Sequence, residues 1–279
     1  MPLMFALSGV LATKLLDLNN TESRNNYIND RFRRLMIPYF FVGLVYLPFK
    51  LILSQFAQKP YEIHTIWQIF LGENPDGGLW FLWALFVIQS VAVFILNKSN
   101  LNKIGVLSFL ISIAVIASGW STFWIDDAIY CFSFFLMGLV IRIKDEQRAL
   151  SQRRTAPILT AIAFLICLVV YVLTNTSIMK SFCAVTGIFF VFYICKLIEG
   201  RKLWINRILE CLGQRTMEIY ILHGIIMVVV RALLHNILHL NFYVVSVTMF
   251  VFGLVSPVYI SQYIIKRNKN LNKLILGAK

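Results

Sequence analysis

The sequence predicts an all-α membrane protein: a polytopic bundle of about nine transmembrane helices that forms one integral-membrane domain over residues 1–279. Hydrophobic residues make up 59 % of the chain, whereas charged residues make up only 14 %. The mean hydropathy of +0.75 is higher than a water-facing surface permits, because the outside of a soluble domain must be polar. Charged residues also cluster between the apolar runs, which is the pattern of a chain that crosses a membrane repeatedly.

The apolar runs set the predicted spans. A helix needs about 20 residues to cross roughly 30 Å of hydrocarbon. The predicted spans lie near residues 1–16, 35–57, 79–96, 104–118, 128–143, 156–173, 181–197, 217–234 and 242–265.

The loops between these runs alternate in charge. Lysine and arginine concentrate in the odd-numbered loops and the C-terminal tail, whereas the second loop carries Glu73 and Asp76 and the fourth carries Asp126 and Asp127. Because basic loops favour the cytoplasmic side, we predict a multi-pass cell-membrane protein with a cytoplasmic C-terminus. Met1 then falls on the outer face, and we expect a further helix before it, which would give ten spans.

Two classes of function do not fit the composition. The net charge of +13 does not indicate a nucleic-acid partner, since the cations sit at span ends, where they set topology. The five cysteines are scattered without a CxxC pair, so they predict neither a disulfide framework nor a metal site. The partners expected are therefore membrane lipid and small molecules.

A short segment between two predicted spans has helical amphipathicity. Residues 203–212 place Trp204, Ile205, Ile208 and Leu209 on one stripe of a helix. This pattern predicts a short helix that lies in the cytoplasmic interface of the membrane.

Three arginines stand at the start of the second apolar run, within residues 30–40. In an α-helix, Arg31 and Arg34 would share one face, while Arg33 would point elsewhere. Pro38 has no N–H, so the carbonyl of Arg34 would lose its helical partner. Two cations beside a free carbonyl could bind an anion; the alternative is a cytoplasmic anchor of the positive-inside kind.

A histidine lies inside the eighth predicted span, where ionisable side chains are costly and usually functional. His223 follows Tyr220 by three residues, so both lie on one helical face and Tyr220 could orient the imidazole. A neutral imidazole there could accept a proton. The alternative is a histidine that only hydrogen-bonds to a neighbouring helix.

The second loop combines turn residues with carboxylates and tryptophans over residues 72–83. Trp80 could stack on a sugar ring, and Glu73 and Asp76 could bind sugar hydroxyls. The alternative is an aromatic belt capped by a turn.

Five stretches, in order along the chain, resemble the integral-membrane acyltransferase family 3, whose members O-acetylate sugars and polysaccharides. They are similar to the family's "MPLFFFLSG", RxxR followed by "PY", "LWFL", "FFLxG" and "IYLLH" elements. In this chain the five stretches are residues 1–9, 31–39, 79–82, 134–138 and 218–223.

The resemblance implies transfer of an acyl group, usually acetyl, from cytoplasmic acetyl-CoA to a sugar hydroxyl, without a permanently bound cofactor. It implies that Arg31 and Arg34 bind the phosphates of the acyl-CoA donor. It makes His223 a secondary polar group of the core, because the family's presumed catalytic histidine lies on a helix that would precede Met1. His223 and Tyr220 are the candidate catalytic residues within this chain. The alternatives are a non-catalytic polysaccharide exporter of the same architecture and an inactive truncated relative.

Overall fold

The computed structural model describes residues 1–18, 20–52, 63–119, 125–146, 155–199 and 204–277. Every regular element in these ranges is a helix, which confirms the predicted all-α class. The α-helices, in chain order, are α1 (Pro2–Val10), α2 (Thr21–Arg31), α3 (Ile37–Ile52), α4 (Trp80–Ile95), α5 (Leu101–Ser118), α6 (Ile125–Glu146), α7 (Ala156–Thr174), α8 (Ser177–Ile198), α9 (Trp204–Gln214), α10 (Thr216–Arg231), α11 (Phe242–Ile260) and α12 (Lys269–Leu276).

Six helical segments of the described ranges are long and apolar enough to cross a membrane, and each matches one of the predicted spans. A 3₁₀ or π turn extends three of them beyond their α-helix. They are Gly77–Ile95, Leu101–Ser118, Ala156–Thr174, Ser177–Ile198, Thr216–His235 and Phe242–Ile265.

The other three predicted spans differ from expectation in their boundaries. The span predicted over residues 1–16 is not one helix, because α1 ends at Val10 and a 3₁₀ turn, Thr13–Asp17, follows. The end of α1 tightens to an i→i−3 bond in which the Ala12 N–H donates to Gly9 O. The span predicted at 128–143 is longer, since α6 covers Ile125–Glu146. The span predicted at 35–57 coincides with α3 over Ile37–Ile52, and residues 53–57 of the prediction lie outside the described residues.

Contacts between Cα atoms divide the chain into two compact units, and the division falls inside α2 and α4. The first unit comprises Met1–Ile28 and Val87–Lys202, and the second comprises Asn29–Phe86 and Leu203–Lys279. Each unit is an assembly of helices with its own packing.

In the first unit, α1 lies directly against α6 through glycines on both helices. A Cβ on Gly9 would overlap the carbonyl oxygen of Phe135, and a Cβ on Gly138 would overlap the carbonyl oxygen of Ala6. The two backbones therefore touch, which is the packing that small residues allow between membrane helices. Cys131, next to this contact in α6, is buried as a small apolar residue.

In the second unit, α10 packs along α11, and α3 contacts both α10 and α12. Lys266 Nζ lies 2.5 Å from Glu218 Oε1, an ion pair that joins the chain after α11 to the first turn of α10. The side chains of Tyr39, Leu82 and Ile221 are fully buried.

Two short amphipathic helices belong to the second unit. Helix α9 confirms the helix predicted near residues 203–212, and its apolar stripe is uncovered: Trp204 is 74 % exposed and Leu209 is 52 % exposed. Helix α12 lies in the basic tail, for which the sequence analysis predicted no helix. Asn268 caps α12 by accepting hydrogen bonds from the N–H groups of Asn270 and Leu271, which offsets the low apolar content of this segment.

Candidate active site around a broken helix

A non-helical segment, Gly72 to Asp76, separates a 3₁₀ helix (Ile63–Leu71) from a 3₁₀ turn (Gly77–Leu79) that leads into α4. We call residues 72–79 the break segment. Gly72 has φ of +99°, a backbone conformation that favours glycine and that ends the preceding helix. Asp76 caps the 3₁₀ turn, because its Oδ1 accepts a hydrogen bond of 3.0 Å from the N–H of Gly78.

Asn74 ties the break segment to α3. Its Nδ2 donates to the carbonyl of Tyr39 at 2.9 Å, and its Oδ1 accepts from the N–H of Asp76 at 3.0 Å. Gly43 makes room for this side chain, since a Cβ there would stand 2.5 Å from Asn74 Nδ2. The Tyr39 hydroxyl in turn donates to Ile69 O at 2.7 Å. These bonds pair buried polar groups of the break segment and of α3.

Asp76 and Tyr220 join the break segment to α10. A Cβ on Gly224 would stand 2.6 Å from Asp76 Oδ2, so the carboxylate lies directly against the helix backbone beside His223. The Tyr220 hydroxyl donates a hydrogen bond to the carbonyl of Gly78. The Tyr220 ring also meets the ring of Phe81 edge-to-face, with centroids 5.4 Å apart.

His223 is held by the backbone of its own helix. Its Nδ1 lies 2.6 Å from the carbonyl oxygen of Tyr220. A carbonyl can only accept, so Nδ1 must carry the proton of this bond, and in the neutral ring Nε2 is left as the proton acceptor. Tyr220 was predicted from its spacing to be able to orient the imidazole. The Tyr220 carbonyl does so, whereas its hydroxyl bonds to the break segment.

The break segment contains or adjoins the three residues proposed as a sugar platform in the second loop, and the structure buries two of them. Trp80 is only 9 % exposed and Asp76 only 7 %, so neither presents an open surface; Glu73 is partly exposed. The reason is that the segment contacts interior turns of α3 and α10 instead of lying beyond the helix ends. The break segment bonds to α3 at Tyr39. Because Tyr39 follows Arg34 by five residues, this point lies about 8 Å along the helix from Arg34.

Non-helical backbone is rare at membrane depth, because its N–H and C=O groups must find partners without water. It is tolerated where protein buries it or where it lines a cavity, and broken helices of this kind often mark binding sites. The break segment meets the first condition, since Asn74 and Asp76 are both buried. It therefore defines the candidate active site together with Tyr220 and His223.

The arginine segment adopts a π turn, Phe32–Met36, between α2 and α3. The Ile37 N–H donates to Phe32 O, five residues back, so the α-helical register that would place Arg31 and Arg34 on one face does not apply. Arg34 is exposed, and Arg31, the last residue of α2, is partly exposed. π turns inside helices occur frequently at functional sites.

The end of α12 lies on this arginine segment. A Cβ on Gly277 would stand 2.6 Å from both Arg33 O and Arg34 Cα, and Gly277 itself has φ of +61°. The C-terminal end of α12 therefore packs on the backbone of Arg33 and Arg34, and Gly277 makes the contact.

The structure thus places Asp76 against Gly224, the Tyr220 hydroxyl on Gly78 and His223 on the Tyr220 carbonyl. Arg31 ends α2, and Arg34 lies in the turn before α3. Sequence reasoning missed Asn74 and two glycines, Gly43 and Gly224, that let the break segment approach. A glycine inside an apolar helix costs stability unless a neighbour needs the space, and that is the signal that could have found them. Among the described residues, no three His, Cys, Asp or Glu side chains form a group that could hold a metal ion.

Comparison with known proteins assigns a family. The model of the acyltransferase domain of family 3 matches residues 1–266, which is nearly the whole chain. No curated protein and no solved structure matches the chain. The match begins at the first residue and extends past α11, so it includes the arginine segment, the break segment and α10. The chain belongs to the acyltransferase family 3 and is a membrane acyltransferase.

Proposed function

We propose that this membrane acyltransferase transfers an acetyl group from acetyl-CoA to a hydroxyl of a sugar or cell-surface polysaccharide. The observation that carries the proposal is the geometry of His223, whose Nδ1 is engaged by the Tyr220 carbonyl at 2.6 Å. That bond leaves Nε2 as a proton acceptor, on the residue before Gly224, whose backbone lies against the buried carboxylate of Asp76.

The chemical step needs one base and no permanently bound cofactor. The acceptor hydroxyl oxygen attacks the thioester carbonyl carbon, while His223 Nε2 takes the hydroxyl proton. The C–S bond then breaks, the new ester leaves with the acetyl group, and the imidazolium returns the proton to the CoA thiolate.

The donor end of the site is proposed at the arginine segment. Arg31 and Arg34 supply guanidinium groups, which suit phosphate oxygens because their N–H groups form charge-assisted, often paired hydrogen bonds. The π turn and Pro38, which has no N–H, interrupt the regular α-helical bonding beside Arg34. The alternation of charge among the loops favours the cytoplasmic side for this turn and for the C-terminus in a cell membrane.

The acceptor end is proposed at the break segment. Glu73 is partly exposed and can accept hydrogen bonds from sugar hydroxyls, whereas Asp76 is buried and holds the turn that faces α10. Trp80 supports the site by packing at the start of α4. Tyr220 is a positioning residue in this scheme, since its hydroxyl fixes Gly78.

The test is acetyl transfer from acetyl-CoA labelled in its acetyl group into glycan, with membranes that contain the protein and membranes that lack it. We expect labelled ester only with the protein. His223→Ala should lower the rate by about 10² to 10⁴, the usual contribution of a general base. Tyr220→Phe should lower it less and leave its pH profile unchanged.

Two results would contradict the proposal. Label that enters glycan equally without the protein would remove the enzymatic assignment. Glycan that crosses the membrane only when the protein is present, without acquiring label, would favour the polysaccharide exporter instead.

A further inference from the structure

A groove of about 560 Å³ runs between α10 and α11 within the second unit. This volume falls in the range of roughly 300–1,000 Å³ that small-ligand pockets occupy. The floor is formed where the two helices approach, since a Cβ on Gly253 would stand 3.5 Å from Met227 Cγ. The side of the groove is open, and several apolar residues of α11 beside it are exposed.

The wall formed by α10 carries a column of basic side chains. His223, Arg231 and His235 all line the groove, and they are separated by multiples of four residues, so they follow one face of the helix. The rise of a helix puts Arg231 about 12 Å from His223, and His235 one turn further on. Arg231 and His235 are exposed, at the end of the groove away from the break segment.

The opposite wall is apolar and includes Val245, Met249 and Phe250. The lining that the structure describes contains no carboxylate. An arginine in a largely apolar groove between two membrane helices is costly unless its charge meets water or an anion. The groove therefore offers a cationic end and a long apolar floor, which is complementary to an anionic headgroup attached to a hydrocarbon chain.

We propose that this groove binds an anionic glycerophospholipid. The lipid phosphate accepts hydrogen bonds from the Arg231 guanidinium and from His235, and one acyl chain lies along Met227 and Met249 towards His223. Guanidinium and phosphate groups form strong charge-assisted hydrogen bonds. A zwitterionic lipid carries a phosphate too, but its ammonium group cancels the net charge and is repelled by Arg231, so an anionic lipid is favoured. The groove also reaches His223, the proposed base of acyl transfer. The lipid proposal depends on Arg231 and His235 and is tested by lipid labelling without an acyl donor, so either proposal can fail while the other holds.

The experiment uses the whole protein in phosphatidylcholine nanodiscs and two photoreactive lipids, phosphatidic acid and phosphatidylcholine, each with a diazirine in the same acyl chain. Labelled peptides are mapped by mass spectrometry. We expect phosphatidic acid to label the α10–α11 region about tenfold more than phosphatidylcholine, and we expect Arg231→Gln to abolish this preference. Arg231→Lys should keep most of it, because the charge remains.

Matched variants test separately whether lipid labelling depends on the charge of Arg231 and on the open space of the groove. Lys103→Gln removes an exposed cation of α5 and should leave the preference unchanged. Ser246→Phe should fill the groove and lower labelling by both lipids at least fivefold, whereas Ser246→Ala should not. Short-chain phosphatidic acid should compete with the probe, and glycerol phosphate at the same concentration should not.

Several outcomes would overturn the inference. Equal labelling by the two lipids, or a preference that survives Arg231→Gln in a monodisperse protein, would show that charge does not select the ligand. Unchanged labelling in Ser246→Phe would place the lipid elsewhere. Competition by glycerol phosphate alone would show that the site takes a soluble phosphate and not a lipid.

Discussion

The carboxylate of Asp76 lies against the backbone of Gly224, so that a Cβ on Gly224 would stand 2.6 Å from Asp76 Oδ2. These residues are distant in sequence, and their contact brings the break segment next to His223. The contact depends on the absence of a side chain at position 224. Helix α10 therefore carries a glycine at this position, which weakens the helix but leaves room for the buried carboxylate of Asp76.

Gly224→Ala tests this contact. The added methyl group must push the Asp76 side chain aside, and a displacement of about 1 Å in a catalytic site can lower the rate about 10²-fold. We expect the acetyl-transfer rate to fall by that order, while the far-ultraviolet circular dichroism stays unchanged. Gly213→Ala is the control, because a Cβ on Gly213 of α9 meets open space. Equal rates for the two variants would show that the Asp76 position does not matter.

Asn74→Ala tests the anchoring of the break segment to α3. The variant loses the bonds to Tyr39 O and to the Asp76 N–H and leaves both groups buried. We expect the free energy of unfolding in detergent micelles to fall by about 1–3 kcal/mol. Asn26→Ala, at an exposed position of α2, should change it by less than about 0.5 kcal/mol. An Asn74→Ala protein as stable as the parent would contradict the described bonding.

Gly138→Ala tests the backbone contact between α1 and α6. The new Cβ would overlap Ala6 O, a backbone atom that cannot rotate away, so the helices must separate. We expect destabilisation of about 1–3 kcal/mol, as for overpacked cores. Gly105→Ala in α5 meets open space and should be neutral or stabilising by up to about 1 kcal/mol, since alanine favours helix. If Gly105→Ala destabilised the protein and Gly138→Ala did not, the described contact between α1 and α6 would be contradicted.

Gly277→Ala tests how α12 is placed on the arginine segment. The variant combines a positive φ with a clash against Arg33 O and Arg34 Cα. We expect α12 to detach, which hydrogen exchange would record as faster exchange over residues 269–277 with the other helices unchanged. Unaltered exchange in α12 would show that the glycine is not required there.

The apolar runs were enough to predict the long apolar helices, but not α2 or α12, which lie in polar or basic segments. Length and hydropathy decide whether a segment crosses a membrane, so the six long apolar helices follow the predicted spans closely. The amphipathic stripe from Trp204 to Leu209 predicted α9 for the same reason: it is a local pattern.

The candidate site could be predicted only in part. His223 stood out because an ionisable group inside an apolar run is costly. Asp76 looked like a loop residue, because glycine and proline around it favour a turn and nothing local indicates that the turn is buried. The π turn at Arg33 and Arg34 also depends on packing, since the same residues suit an α-helix.

The arginine pair provides the most direct test of the proposed acyl transfer. Labelled acetyl-CoA is varied over membranes that contain the parent protein, Arg31→Ala, Arg34→Ala, the double variant or Arg33→Ala. If the pair binds the donor phosphates, each single change should raise the KM for acetyl-CoA about tenfold or more, as the loss of a charge-assisted hydrogen bond does. The double variant should lose measurable transfer. Arg33→Ala should keep the parent KM, because the RxxR resemblance assigns donor binding to Arg31 and Arg34 and not to Arg33. Transfer at the parent rate and KM in the double variant would contradict the assignment of the donor site.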